Sequence, residues 1–314
     1  DYRFYPAIMR SHARLTYNKV NMILEGKGGP DLVKKYSEVI PNLRSLHELY
    51  KTLRAARKKR GVMDFDRLET KILFDEKGKI SNIIPDIRND AHKLIEECML
   101  LANQAAARFL KKHKEDFLYR VHPKPTPEKI ALTRTFLDSL GLKLEGKETP
   151  KTRDFAQLLK KVKGREDENI IKTIILRTMK QAVYTPENTG HFGLALEDYT
   201  HFTSPIRRYP DLLAHRAIHR VLEKKSHKAS KRMIETGKHL SSRERRAEEA
   251  SREVEKWLKC DYMRSRLGEN FTGIVSGVSA YGLFVELQDV FVEGFVSVSD
   301  MKEDKYVFDK VHFQ

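Results

Sequence analysis

The chain has 314 residues, 40% of them hydrophobic and 33% charged, with a formal net charge of +16. This length suits roughly two domains and at least one sizeable core, and no run of about 18 apolar residues exists that could span a bilayer. The positive excess points to a polyanionic partner, RNA or DNA before an anionic membrane face.

The opening "DYRFYPAIMRSHARLTY" lacks a signal-peptide apolar core. The first 60 or so residues predict helices. One covers "SHARLTYNKVNMILEG", with Ser11 as its cap, and breaks at Gly-Lys-Gly-Gly-Pro. A second covers "IPNLRSLHELYKTLRAARKKRG", with Leu43, Leu46, Leu49 or Tyr50, and Leu53 at helical spacing. Four basic residues and Gly61 close it, as a helix C-terminus prefers. "VMDFDRLETKILFDEKGKISNIIPD" alternates around a Lys-Gly turn and predicts a hairpin over 60–85. "NDAHKLIEECMLLANQAAARFLKKH" predicts a strong helix capped by Asn89 or Asp90, with Leu94, Cys98, Leu101, Ala105 and Phe109 on its apolar face.

A Pro-rich loop at 122–129 leads into short helices through about 182. "GHFGLALEDYTHFTS" predicts buried strand and turn, and a helix follows Pro210 to about Lys224. A long helix over 232–265 carries Ala247, Ala250, Val254, Trp257 and Leu258 on one stripe. From 267 the texture turns to alternation and glycine turns, the start of a small β-barrel. The two cysteines, Cys98 and Cys260, fall in helical segments without a CxxC. They predict two buried or partly buried thiols in a reducing cytoplasm.

The chemistry concentrates in "HFTSPIRRYPDLLAHR". Pro210 suits the first turn of a helix, so Arg207 and Arg208 lie just before a helix N-terminus. Free N–H groups and the helix dipole favour an anion there, and guanidinium forks grip phosphate. Pairing of both arginines with acidic neighbours such as Asp211 is the other reading. His215 and His219 have zinc-like spacing, but Arg216 stands where HExxH has glutamate, so hydrogen-bonded or solvated histidines fit better. Glu96 and Glu97 are adjacent on a helix, point about 100° apart and share one metal poorly. Asp64 and Asp66 form a weaker metal pair still. Among the barrel aromatics, Phe271 suits core packing or base stacking, while Tyr281, next to Gly282, favours stacking, as Phe284 can also do.

"FYPAIMRSHARLTY", "RNDAHKLIEECMLLAN" and "GHFGLALEDYTHFTSPIRRYPDLLAHRAIHRVL" resemble the catalytic, RNB-type domain of the ribonuclease II/R family. "FTGIVSGVSAYGLFVEL" and the residues after it resemble the OB-fold repeated in the largest small-subunit ribosomal protein. The resemblance covers nearly the whole chain. It implies an α+β chain: a mixed α/β catalytic domain over 1–266, then an OB barrel over 267–314.

The implied activity is processive, hydrolytic 3′→5′ degradation of RNA to nucleoside 5′-monophosphates, with magnesium as cofactor in a two-metal mechanism. The implied partner is single-stranded RNA with a free 3′ end, with structured RNA a further candidate, acted on by a cytoplasmic monomer. Arg207 matches the arginine of the SPIR motif, which contacts the scissile phosphate, and Arg208 stands beside it on the RNA path. Tyr17 in "RLTY" and Glu96 in "EECM" match positions that recognise ribose. Phe65 matches the terminal-base clamp, and Tyr281 and Phe284 match two base-stacking aromatics. Ser297 replaces a histidine of the family pattern.

The family's magnesium ligands form a D-x5-D-x-D-D cluster upstream of the "SHARLTY" region. No such cluster occurs here, so the resemblance implies that it lies before residue 1, with the cold-shock domains. The chain is then expected to be incomplete at both ends. A non-catalytic RNA-binding fragment or paralogue is the competing reading; a helicase lacks its nucleotide-binding loop.

Binding of unstructured RNA should weaken steeply with salt, with a log–log slope of several units. Titration across salt concentrations checks this, and a salt-independent affinity contradicts it.

Overall fold

The computed structural model describes residues 1–65, 69–225, 232–301 and 306–309. Residues 1–16 form no regular structure. Helix α1 spans Tyr17–Leu24, and its cap is Thr16, which accepts from Lys19 N, rather than Ser11. The irregular course has a packing reason: Ala13 and Leu15 lie against a small core of Ile23, Tyr36 and Ile40. Helix α2 (Pro30–Lys35) follows the glycine break, then α3 (Ile40–Arg60), closed by Gly61 at φ 74° in the left-handed conformation.

The hairpin is β1 (Glu69–Phe74) with β2 (Ile80–Asp86), antiparallel, its turn made by Gly78 at φ 75°. The long helix α4 runs Asp90–Lys112 under an Asn89 cap. Next come β3 (Tyr119–Val121), α5 (Pro127–Ser139), α6 (Thr152–Lys161), α7 (Glu168–Thr178) and β4 (Val183–Thr185). The expected strand within 190–204 is instead irregular chain with one 3₁₀ turn, Phe192–Leu194. Isolated bridges tie it to His122 and within itself, between His191 and Leu196, and side chains bond much of the rest, so no continuous ladder forms. Helix α8 (Tyr209–Leu222), helix α9 (Met233–Arg264) and a three-stranded antiparallel meander complete the chain. The meander is β5 (Gly273–Ser279), β6 (Gly282–Leu287) and β7 (Glu293–Ser297).

The chain divides into two compact units that do not follow chain order. The first holds Asp1–Val62, Arg88–Pro123 and Gln181–Ser242; the second holds Met63–Ile87, Lys124–Lys180 and Arg243–Gln314. In the first, α4 and α8 meet through Ala106, Ala107, Leu110, Ala214, Ala217 and Ile218, beside Phe117, Tyr119 and Val121. Alanine at these positions lets two helices approach closely enough to exclude water. In the second, Ile83, Val290 and Val292 form a core with Tyr262, Met263 and Phe271 packed on it. Phe271 is therefore a packing residue.

Several apolar faces differ from the sequence pattern. On α3 the buried residues are Ile40, Tyr50 and Arg57, while Leu46 and Leu49 are exposed. On α4 Leu94 is buried and Phe109 packs on the core as expected, Cys98 and Ala105 are half-buried and Leu101 is exposed, while Glu97, Asn103, Ala106, Ala107 and Leu110 are buried outside the expected stripe. The cause is polar: Arg57 turns inward to Glu97, and Asn103 turns inward to the 199–203 segment. On α9 the described buried residues are Gly237 and Ser241, and Val254 and Trp257 face solvent. Cys98 is partly buried and Cys260 is exposed, against the expectation of two sheltered thiols.

Gly237 sits where the backbone of α9 passes close to that of β4. A Cβ there would meet the Tyr184 carbonyl oxygen at 2.5 Å. Gly237→Ala should therefore destabilise the protein by about 1–3 kcal/mol, read as a lowered urea midpoint with an unchanged m-value. An unaltered midpoint contradicts this packing.

Candidate RNA-processing site

The segment from Tyr199 to Arg208 has no helix or sheet ladder, so its polar groups must find partners elsewhere. They find them in buried side chains. Asn103, only 3% exposed, accepts at Oδ1 from Phe202 N (2.9 Å) and Thr203 N (3.2 Å), and its Nδ2 donates to the Tyr199 hydroxyl (3.0 Å). The Thr200 hydroxyl donates to the Leu118 carbonyl at 2.6 Å. His215 Nε2 donates to the Phe202 carbonyl at 2.9 Å, with its ring stacked on Phe202 at 4.2 Å. That contact accounts for His215 without a metal; His219 pairs at the surface with Glu223.

Asp211, completely buried, accepts from Ser204 N at 2.8 Å and Arg208 Nη2 at 2.7 Å. This separates the two arginines. Arg208 is committed to Asp211, with its Nε buried and unpartnered among the described residues. Arg207 is exposed, and no described acidic side chain pairs with it. Both precede α8, whose first turn contains Pro210 and whose cap makes no side-chain hydrogen bond. An open guanidinium beside free helix N–H groups is a receptor for an anion.

Behind the segment, His201 Nδ1 and the Tyr184 hydroxyl are 2.8 Å apart, and the Arg120 guanidinium lies over the Tyr184 ring at 4.5 Å. Burial first, and then Arg208 and Arg120, push the His201 pKa down to about 2. Burial, His122 and Arg120 push that of His191 down to about 3. Both rings are neutral at physiological pH.

At the start of α4, the Tyr17 ring stacks on His92 with centroids 4.0 Å apart. Glu96 lies one turn further along α4 on the same face. Asn89 Nδ2 donates to Asn18 Oδ1 at 3.1 Å, which ties the starts of α1 and α4 together. Glu96 accepts from Arg57 and Arg88, while buried Glu97 faces Arg54 and Arg57. Both carboxylates are thus paired. Sequence spacing did not identify Arg57 or Asn103, whose partners come from distant parts of the chain, or Arg88, whose partner Glu96 lies eight residues on, beyond the helix cap.

In the second unit, Phe65 and Phe284 line one cleft of about 690 Å³, with Lys172, Arg177, Gln288 and Phe291. Phe284 also packs on Phe295, with centroids 5.2 Å apart. Tyr281 stands out at the β5–β6 turn, 79% exposed. Asp66 lies outside the described residues. Among the described residues, no group of three or more His, Cys, Asp or Glu side chains could hold a metal ion, and no helix is long and apolar enough to cross a membrane.

Residues 1–224 match the RNB domain, and residues 264–312 match the S1 RNA binding domain. The chain belongs to the RNB family. It is similar to ribonuclease R of Escherichia coli (strain K12), 49% identical over 322 residues that cover 99% of this chain and 39% of the relative. Ribonuclease R of Vibrio cholerae is 46% identical with the same coverage. The chain thus spans about two fifths of the length of these RNB relatives. A structure of Mycoplasma genitalium RNase R with ribose-methylated single-stranded RNA superposes with a TM-score of 0.84 at 25% identity, covering 95% of this chain and 47% of that one. The same protein with double-stranded RNA gives 0.79 at 26% identity, covering 90% and 50%. Yeast Ssd1, described as a pseudonuclease, shares the RNB fold at a TM-score of 0.65 and 22% identity, covering 90% of this chain and 35% of its own. The architecture is an RNB domain followed by an S1 domain of OB type.

The buried histidines give a pH dependence of stability with a definite sign. Unfolded histidine titrates near 6.5, folded His201 near 2 and folded His191 near 3. Above pH 6.5 neither state is protonated and the contribution is constant. Below it the unfolded chain binds protons that the folded chain refuses, so stability falls as pH drops from 6.5 towards 3. Each histidine contributes a slope approaching ~1.4 kcal/mol per pH unit. Urea denaturation between pH 7 and pH 4 should show a shallower slope for His201→Gln; an identical slope contradicts the burial argument.

Proposed function

We propose that this RNB–S1 protein is a processive 3′→5′ exoribonuclease that hydrolyses RNA to nucleoside 5′-monophosphates. The observation that carries this reading is the exposed Arg207, held before α8 by a segment anchored on Asn103 and Asp211, in a chain 49% identical to a ribonuclease R. Residues 1–266 act as the catalytic part and 267–314 as an RNA-binding barrel. The net charge of +16 suits a strand of phosphates. The protein acts as a cytoplasmic monomer on single-stranded RNA with a free 3′ end. That structures of Mycoplasma genitalium RNase R contain single- and double-stranded RNA supports both substrate forms.

Arg207 contacts the scissile phosphate and stabilises the negative charge that develops on its oxygens. The segment is preorganised by Asn103 and Asp211, so little reorganisation accompanies the reaction. Arg208 adds positive potential from a pinned position. Tyr17 and Glu96 read the ribose: the Glu96 carboxylate accepts from a 2′-hydroxyl, which DNA lacks. Phe65 clamps a terminal base, and Tyr281 and Phe284 stack on bases of the incoming strand. Magnesium is the proposed cofactor. The described residues supply no set of three ligands for it, so the part of the reaction assigned to this chain is phosphate recognition, charge stabilisation and ribose selection.

In the full-length protein, Arg207→Ala should lower turnover by roughly 10²–10³. RNA affinity should stay nearly unchanged, because many other cations hold the strand. Arg207→Lys should recover only part, since an ammonium lacks the bidentate fork. Single-turnover release of mononucleotides, with binding measured in parallel, checks this; normal turnover in Arg207→Ala removes Arg207 from the chemistry.

A further inference from the structure

Glu96 is bonded from two sides. Its Oε2 accepts from Arg88 Nη2 at 2.6 Å, and its Oε1 accepts from Arg57 Nη1 at 3.4 Å. Arg57 is almost buried and is shared with Glu97 Oε1 at 3.2 Å. Arg88 is half-exposed and comes just before the Asn89 cap of α4. Its side chain therefore lies along the first two turns of the helix, on the face that carries His92 and Glu96.

Two consequences follow. A glutamate on an open helix face samples several rotamers, and freezing it opposes binding. With a guanidinium on each oxygen, one rotamer is already selected. A carboxylate has about four lone-pair sites, so two arginine bonds leave Glu96 able to accept another donor. A bare carboxylate would also repel a passing phosphate chain; two adjacent guanidiniums cancel that repulsion while leaving the acceptor in place.

We propose that Arg88 sets the preference for ribose by holding the Glu96 carboxylate, beside the Tyr17 ring, in the orientation that accepts a 2′-hydroxyl. This rests on the ribose reading of Tyr17 and Glu96 given above. Arg88 touches no substrate; it is a positioning residue that acts through Glu96. Arg57 supports the other oxygen but also neutralises Glu97, so Arg88 is the contact dedicated to Glu96.

The test is a double-mutant cycle in the full-length protein. The quantity read is the ratio of hydrolysis rates on an unstructured RNA oligomer and on the same oligomer with 2′-deoxyribose at its 3′-terminal positions. A general loss of folding lowers both rates and leaves the ratio alone. Glu96→Ala should lower the ratio about tenfold, as expected for a lost hydrogen bond to a charged group. Arg88→Met should lower it by roughly fivefold, and Arg88→Lys should recover part of that loss. In the Glu96→Ala background, Arg88→Met should change it by less than about twofold, because the two residues act as one unit. Arg88→Gln, which keeps an N–H donor without the charge, replaces Arg88→Met should that variant fail to fold.

If Glu96→Ala lowers the ratio and the Arg88 variants do not, the proposal is overturned while the ribose reading stands. Equal effects of Arg88→Met with and without Glu96 also overturn it, since Arg88 would then act by another route. A ratio unmoved by Glu96→Ala removes the ribose reading itself, and the proposal with it.

Discussion

The buried carboxylate of Asp211 is the constraint on which the candidate site depends. A fully buried charge is costly unless it is paired and hydrogen-bonded. Asp211 meets that demand at Oδ1, with the Arg208 guanidinium and the Ser204 N–H, both from the irregular segment before its own helix, while its Oδ2 is buried without a partner among the described residues. The pairing folds that segment back over the start of α8. It also decides which of two adjacent arginines remains available. With Arg208 committed to Asp211, Arg207 is left exposed at a helix N-terminus whose N–H groups no cap side chain occupies.

Helix α4 is the second support, and its buried face is polar where a simple amphipathic helix would be apolar. Near its N-terminus it presents Glu96 and Glu97 to the arginines of α3 and to Arg88. In its middle it presents Asn103 to the Tyr199–Thr203 backbone. Towards its C-terminus it turns apolar and packs on α8 through alanines. One rigid element thus carries Glu96, the proposed ribose reader, and anchors the segment that leads to Arg207. Displacing Asn103 would leave two partly buried N–H groups without that partner, and the cost of an unmade bond there adds to the loss of the bonds themselves.

The second unit separates packing aromatics from exposed ones. Phe271 is used by the core around Ile83, Val290 and Val292, and Phe291 both packs on that core and lines the cleft. Phe65 and Phe284 face a cleft, and Tyr281 stands in solvent at a turn. Of these aromatics only Phe284 lies in a strand, so the division follows where the flanking turns and loops carry each ring.

The sequence by itself determined the order and kind of most elements. The Asn89 cap, the Gly61 terminus, the Lys-Gly hairpin turn and the change of texture at 267 are local signals, read by backbone groups within a few residues. The long motif over 190–222 likewise carries the family in its residues alone. What only the tertiary structure decided is which face of each helix is buried and which charges are spent. Leu46, Leu49, Val254 and Trp257 have helical spacing yet face solvent, while Arg57, Glu97, Asn103 and Asp211 are buried. Periodicity measures hydrophobic faces, and the burials of Arg57, Glu97 and Asn103 are set by ion pairs and hydrogen bonds between residues about 40 to 100 positions apart, such as Arg57 with Glu97 and Asn103 with Phe202 and Thr203, while Asp211 is bonded locally to Ser204 and Arg208. Even Arg207 and Arg208, neighbours with identical side chains, differ only because the fold brings Asp211 within reach of one of them.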